Sequence, residues 1–160
     1  MEIAPDNPVL KAISATFQRL NWFFKELHYQ RVLSIELEAV GASVFPEAPL
    51  PSFYVDTTGR THIIGYDRAD ILGVVCGLGY LIELKRTTTV KPSLVEDTKH
   101  QIERYLHNAS FSAPVRISVA FAVFFTPTEC RVYKYHNKEL ILITVITDKG
   151  HGPHLGPTRT

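Results

Sequence analysis

Apolar residues recur every three to four positions in three stretches of the chain and form shorter extended runs elsewhere. The periodic stretches predict helices that begin at Asn7-Pro8, at about Lys25 and at the capping-box sequence Ser93-Leu94-Val95-Glu96. A segment over 42–55 is extended, and its prolines restrict it to an edge strand or an irregular approach. The other extended runs predict strands over 61–66, 70–76, 79–86, 114–125, 130–135 and 139–147. The order of helix, strands, helix and strands predicts an α/β (α+β) protein.

Two consecutive strands of this pattern bring polar side chains together. The glycines between them indicate a hairpin, and a two-residue turn at Gly77-Leu78 places Asp70 opposite Lys85 and diagonal to Glu83. Glu83 and Lys85 share one face because side chains alternate along a strand. Two carboxylates and one ammonium are therefore expected on one patch of the sheet. A one-residue bulge would change this register.

This trio of charges suits metal-assisted chemistry at a phosphate. Adjacent carboxylates repel each other unless a cation joins them, and Mg²⁺ usually takes one or two carboxylates plus water and substrate phosphate. A nearby lysine can orient the attacking water or neutralise charge on a phosphoryl oxygen. The alternative is a hairpin with a surface ion pair, since Glu-x-Lys occurs by chance in many proteins.

Length and composition place limits on the class of protein. With 160 residues, 45% of them apolar, the chain can bury one proper core, so we expect a single domain over 1–147 and a flexible tail over 148–160. The net charge of +1 gives no global basic field. Two cysteines make no disulfide framework, and no apolar run is long enough to span a membrane. We expect an intracellular protein of the cytoplasm or nucleus.

Five short motifs follow one another between Leu20 and Ala109. They are Glu26-Leu27-His28-Tyr29-Gln30 with Glu36-Leu37, Pro49-Leu50-Pro51 with Phe53-Tyr54, Arg68-Ala69-Asp70, Ile82-Glu83-Leu84-Lys85, and the Gln-x-x-x-Tyr-Leu run of 101–106. In this order they resemble the PD-(D/E)XK nuclease superfamily and, more narrowly, its GxxExxY family. The resemblance implies a restriction-endonuclease-like core in αβββαβ order, with a central mixed sheet flanked by helices. One departure is that the glycines of that family are replaced around Asn21 and Phe23.

The resemblance also implies roles for individual residues. Asp70 and Glu83 would hold Mg²⁺ or Mn²⁺, with the backbone carbonyl of Leu84 as a third ligand. Lys85 would position the water and stabilise the transition state. Glu26 would reach the site from its helix as a metal or water ligand.

The helix that begins near Ser93 supplies further candidates. By the resemblance, Gln101, with Tyr105 behind it, would hydrogen-bond near the lysine or the phosphate. Basic residues surround this helix, and they either solvate it or form a patch that faces phosphate. The candidates for nucleic-acid contact are Arg86, Lys91, Lys99, Arg104 and Tyr105.

These observations lead to one main functional hypothesis and two alternatives. The main hypothesis is a metal-dependent nuclease that hydrolyses phosphodiester bonds, with DNA as the expected substrate and RNA left open. The first alternative is a catalytically inactive nuclease-fold module that binds nucleic acid or a protein, because a fold does not fix an activity. The second is a metal-dependent phosphoesterase for small phosphates. With no separate recognition domain, the chain is expected to rely on a homodimer or a targeting partner.

Overall fold

The computed structural model describes residues 6–112 and 116–147, with side chains over 7–109 and 116–147. Three helices and eight strands occur in this part of the chain. The helices are α1 (Asp6–Arg19), α2 (Glu26–Ala39) and α3 (Pro92–Ser112). The strands are β1 (Ser43–Pro46), β2 (Pro49–Val55), β3 (Thr61–Arg68), β4 (Ile71–Val75), β5 (Leu78–Arg86), β6 (Ile117–Phe125), β7 (Cys130–His136) and β8 (Glu139–Ile146). The three predicted helix starts are confirmed to within a residue or so.

Six of the strands form one mixed sheet in the order β1-β4-β5-β6-β7-β8. Strands β5 and β6 are parallel and are joined by α3, whereas the other neighbouring pairs are antiparallel. Strands β2 and β3 pair only with each other, with a bulge beside Gly65, and make a separate two-stranded sheet. The predicted α/β fold with a central mixed sheet is confirmed. The three strands of this sheet that precede α3 are β1, β4 and β5.

The two faces of the central sheet bury separate apolar clusters. One face packs against α1 and α2, and the other packs against α3 together with the β2–β3 sheet. Alternation along β5 assigns Ile82 and Leu84 to the first cluster and Leu81 to the second. Glu83 therefore takes the same face as Leu81, beneath α3, where it is only 3% exposed. Burying each such leucine or isoleucine stabilises the fold by about 1.5–3 kcal/mol, which holds β5 rigidly in place.

The hairpin between β4 and β5 differs from the prediction by one residue. The turn lies at Cys76-Gly77, where both residues have positive φ (53° and 78°), as a type I′ turn requires. Its register pairs Ile71 with Ile82, so that Asp70 lies one step further on, opposite Glu83 rather than Lys85. The predicted placement of Asp70 opposite Lys85 was wrong because the turn was assigned one residue too late.

Two predictions concern residues outside the described part. The tail predicted over 148–160 lies there, and so do the first residues of the strand predicted from 114. The flexible tail and the single domain over 1–147 therefore stay predictions. Within the described residues, no helix combines the length and the apolar content needed to cross a membrane.

Candidate active site

Asp70 and Glu83 face each other at the end of the β4–β5 hairpin. The backbone N–H of Asp70 donates a hydrogen bond to Glu83 Oε1 at 3.4 Å. The backbone N–H of Leu84 donates to Asp70 Oδ2 at 2.9 Å. Each carboxylate thus accepts a hydrogen bond from the backbone of the segment that carries the other one, which fixes the two carboxylates side by side.

Lys85 completes the predicted trio on the same face of β5. Its Nζ lies 3.3 Å from Glu83 Oε2 in a hydrogen-bonded ion pair. The Lys85 side chain is 23% exposed, whereas that of Glu83 is 4% exposed. The ammonium therefore sits between a buried carboxylate and solvent, where a substrate can reach it.

Burial and mutual repulsion perturb both carboxylates. Burial is the largest cause that raises the pKa of Asp70 and of Glu83. The charge of Asp70 raises the pKa of Glu83 further, and the charge of Glu26 does the same for Asp70. Lys85 lowers both pKa values, but by less than burial raises them. Such a pair keeps a shared proton near neutral pH unless a cation replaces it.

Glu26 lies at the first position of α2, near the end of β5. Its Oε1 accepts a hydrogen bond from the backbone N–H of Arg86 at 3.0 Å. Its charge reaches Asp70, as the pKa of that residue shows. Among the described residues, however, no three His, Cys, Asp or Glu side chains are grouped closely enough to hold a metal ion. Glu26 therefore borders the Asp70–Glu83 pair without joining it in a three-carboxylate cluster.

The residues present fit a hard divalent cation. Asp70 and Glu83 offer buried oxygen atoms whose electrostatic cost a cation would relieve. Mg²⁺ commonly binds to proteins through one or two carboxylates and keeps several waters, so a third acidic side chain is not required. Mn²⁺ accepts the same oxygen ligands.

One known family matches this chain. The family model of the PD-(D/E)XK nuclease superfamily covers residues 6–128, which is well over half of the sequence and includes Asp70, Glu83 and Lys85. The chain belongs to the PD-(D/E)XK nuclease superfamily. Together with the central mixed sheet, this membership confirms the predicted restriction-endonuclease-like fold.

Other comparisons with known proteins add little. The crystal structure of SSO0001 is similar, with 18% sequence identity and a TM-score of 0.41, over 92% of this chain and 67% of that one. Among curated proteins, no match is found.

The structure directs Arg86 away from the PD-(D/E)XK carboxylates. Its guanidinium lies 3.7 Å from the centroid of the Trp22 ring and donates a hydrogen bond to the Trp22 carbonyl oxygen. Its Nε is buried and has no hydrogen-bond partner in the described part of the chain. Arg86 follows Lys85 directly, so alternation along β5 turns it to the opposite face. The predicted phosphate-binding candidate thus packs on the loop between α1 and α2.

Helix α3 brings one predicted residue of the nuclease-superfamily site, Tyr105, close to the carboxylates. Tyr105 is buried, and burial together with the charges of Glu83 and Asp70 raises its pKa to about 12. Hydrogen bonding by the side chain of Gln101, one turn earlier on α3, lowers the pKa of Tyr105, but by less than burial raises it. A contact of Gln101 with the lysine or the phosphate stays a prediction.

Two basic residues of α3 form ion pairs. The Nε of Arg104 lies 2.9 Å from Asp67 Oδ2, and its guanidinium lies 5.5 Å from the ring centroid of Tyr105. Lys99 pairs with Glu96 at 3.0 Å. Lys91 lies just before α3 and is exposed, and its carbonyl oxygen accepts the backbone bonds that begin the helix. The charge of Glu83 acts on Arg104, whereas the acidic groups that act on Lys99 are Glu96, Glu103 and Glu139.

Two residues near the site received no role from the sequence. Gln30 is buried on α2, and its Nε2 donates to the backbone oxygen of Asp70 at 3.2 Å. The same Nε2 donates to Glu47 Oε2 at 3.3 Å. Gln30 ends the first of the five motifs, and a polar residue beside the apolar positions of a helix was the available signal. Glu47 gave no sequence signal, because it lies in the irregular turn between β1 and β2.

Proposed function

We propose that the protein is a divalent-metal-dependent nuclease that hydrolyses phosphodiester bonds, with DNA as its substrate and RNA as the second nucleic acid to test. The observation that carries the proposal is the buried Asp70–Glu83 pair with Lys85 Nζ 3.3 Å from Glu83. Membership of the PD-(D/E)XK superfamily supports it, because these residues lie inside the matched region. Within the superfamily we propose the GxxExxY family, on the order of the five motifs.

The proposed metal is Mg²⁺ or Mn²⁺, held by Asp70 and Glu83 with the Leu84 carbonyl oxygen and with Glu26 at the edge. When bound, such an ion lowers the pKa of water and offsets the negative charge on phosphoryl oxygens. The Leu84 N–H holds Asp70 in place, and the Asp70 N–H holds Glu83. Both carboxylates are thereby oriented before a substrate arrives, which reduces the cost of reorganisation.

Lys85 is proposed to orient the attacking water and to stabilise charge on the phosphoryl group. Its ion pair with Glu83 fixes the ammonium at the open side of the site. Tyr105 lies within reach of the charges of both carboxylates, and Gln101 and Tyr105 are proposed to donate hydrogen bonds to the phosphate. Arg104, with Lys99 nearer the start of α3 and Lys91 just before the helix, is proposed to contact the phosphate backbone.

The test compares supercoiled, linear and single-stranded DNA and RNA, each with and without Mg²⁺. We expect cleavage that requires the metal and that Asp70→Asn and Glu83→Gln both abolish. Asp56→Asn is a matched control, because it removes a carboxylate of the turn between β2 and β3 that pairs with His62, outside the carboxylate pair and outside α3. If the two site variants cut as well as the parent, the assignment is wrong.

A second function, a nuclease fold used only for binding, has one observation in its favour. Glu26 does not complete a three-carboxylate cluster among the described residues, and its Oε1 is engaged by Arg86. Calorimetry with Mn²⁺ separates the two functions, since an inactive module would give no heat that depends on Asp70. Nucleoside monophosphates, offered beside oligonucleotides, test the small-phosphate alternative.

The setting of the protein is proposed to be intracellular. Both cysteines, Cys76 and Cys130, are free thiols, which supports a reducing compartment. Targeting by a homodimer or a separate partner stays a prediction.

A further inference from the structure

Asp70 lies just before β4, which begins at Ile71. Its backbone oxygen accepts hydrogen bonds that hold it in place beside Glu83. Those contacts come from two other elements. They involve Gln30 on α2 and Glu47 in the turn between β1 and β2.

Gln30 links three parts of the fold through one amide nitrogen. Its Nε2 donates one hydrogen bond to the Asp70 backbone oxygen at 3.2 Å and another to Glu47 Oε2 at 3.3 Å. The side chain is 94% buried, so these bonds are shielded from competing water. If this amide were lost, the Asp70 oxygen would keep one hydrogen-bond partner among the described residues, the Glu47 N–H at 3.0 Å.

Glu47 is itself fixed in an uncommon backbone conformation. Its φ is 53°, in the left-handed region that non-glycine residues rarely adopt, and its carbonyl oxygen accepts a bond from Arg68. Asp70 is thus anchored at its carbonyl oxygen by Gln30 and Glu47 and at its carboxylate by the Leu84 N–H. Movement at the first anchor would move the carboxylate relative to Glu83.

We propose that Gln30 is a positioning residue for the metal-binding pair, because its amide holds the Asp70 backbone where the Asp70 carboxylate meets Glu83. The inference rests on the proposed metal-dependent function. Gln30 does not touch the metal or the substrate in this role. It acts in the way that residues behind metal ligands generally act, by orienting a ligand.

The test replaces Gln30 by methionine, which has a similar length and no amide. Gln30→Asn keeps a polar amide but is one methylene too short to reach Asp70, and it serves where the methionine variant does not fold. The matched control is Ser34→Ala, because Ser34 lies one turn further along α2 and its hydroxyl donates to the Gln30 backbone oxygen at 3.0 Å, not to Asp70 or Glu47.

Two quantities are measured on the folded variants. Calorimetry gives the Kd for Mn²⁺, and we expect both Gln30 variants to weaken binding about tenfold or more, while Ser34→Ala stays within about twofold of the parent. Amide hydrogen exchange at Leu84 is measured without metal. We expect faster exchange in the Gln30 variants, because the Leu84 N–H depends on Asp70 for its acceptor. Asp70→Ala gives the upper limit of that effect.

The outcomes separate this inference from the proposed function. Parental Mn²⁺ affinity and parental Leu84 exchange in a folded Gln30 variant overturn the positioning role and leave the nuclease proposal standing. If the parent binds no Mn²⁺, the metal site and the metal-positioning role both fail, and the exchange result then shows whether Gln30 still holds Asp70.

Discussion

The Asp70 backbone N–H donates a hydrogen bond to Glu83 Oε1, so the first residue of the acidic pair holds the second one through its main chain. The backbone N–H of Leu84, in turn, donates a hydrogen bond to Asp70 Oδ2. The carboxylates are therefore placed by the backbone of the β4–β5 hairpin and not by long flexible side chains. In the metal-free fold, burial together with the charge of a neighbouring acidic group raises the pKa of both carboxyl groups, and several measurable effects follow.

The stability of the metal-free protein should fall as the pH rises. Asp70 and Glu83 have pKa values above those of the unfolded chain, where carboxyl groups titrate near pH 4. The folded state then binds more protons than the unfolded state above that pH, so deprotonation costs stability. Urea denaturation with a chelator at about pH 5 and about pH 8 measures the difference. Mg²⁺ should restore stability at the higher pH, and a profile that is equally flat with and without Mg²⁺ contradicts the prediction.

Removing one charge of the pair should separate stability from activity. Glu83→Gln keeps the shape of the side chain and can still accept the Asp70 N–H, but it removes the repulsion. We expect the metal-free variant to gain about 1–2 kcal/mol in free energy of unfolding at about pH 8. We also expect it to lose metal-dependent cleavage. Thermal denaturation and a plasmid assay on the same preparation measure both, and a destabilised variant would refute the electrostatic account.

Lys85→Met should reduce the rate of the chemical step more than it reduces binding. The methionine keeps the length of the side chain and removes the ammonium beside Glu83. Loss of one group that stabilises developing charge costs about 10²–10³-fold in kcat. Single-turnover cleavage and Mn²⁺ calorimetry on one sample check this, with Lys85→Arg as the control that keeps the charge. A Kd for Mn²⁺ that rises as much as kcat falls would assign Lys85 to metal binding instead.

Freeing Arg104 should strengthen nucleic-acid binding. Asp67 holds this guanidinium at 2.9 Å, and the Arg104 side chain is 52% exposed, so the pair contributes about 0–1 kcal/mol to folding. Asp67→Asn removes the charge that holds Arg104 and so weakens that contact, while its amide oxygen can still accept from Asn108. One additional phosphate contact should steepen the salt dependence of oligonucleotide affinity by about 0.9 in the log–log slope.

Asp56→Asn is the control for this change, because it removes the same charge from the turn between β2 and β3. There Asp56 pairs with His62 and lies outside the contacts of α3. If the two variants change affinity equally, net charge and not Arg104 accounts for the effect.

The sequence predicted that Glu83 and Lys85 lie together, since both residues belong to a regular strand. Alternation along one strand put Glu83 and Lys85 on a single face, and the apolar stripe of α3 placed Gln101 beside Tyr105. The hairpin was misjudged because glycine occurs on both sides of Leu78, and only the positive φ of Cys76 decides between the two turns. The hydrophobic pattern does not indicate which non-glycine residue will adopt a positive φ.

The hydrophobic pattern could not predict contacts that are made through irregular segments. Glu47 meets Gln30 from a turn, and Trp22 meets Arg86 from a loop, with more than 15 and 60 residues between the partners. Periodicity describes regular elements and carries no information about which loop lies over which strand end. The separate pairing of β2 with β3 was not predicted for the same reason, because the pattern of a strand does not indicate which strand it pairs with.

The stacking of Trp22 on Arg86 has a practical consequence. Trp22 is the single tryptophan of the sequence. Arg86, which stacks on it, donates its backbone N–H to Glu26. Indole emission responds to a cation lying against the ring, so native fluorescence reports any rearrangement of this end of β5. Metal and oligonucleotide titrations can therefore be followed optically, without a label and without turnover.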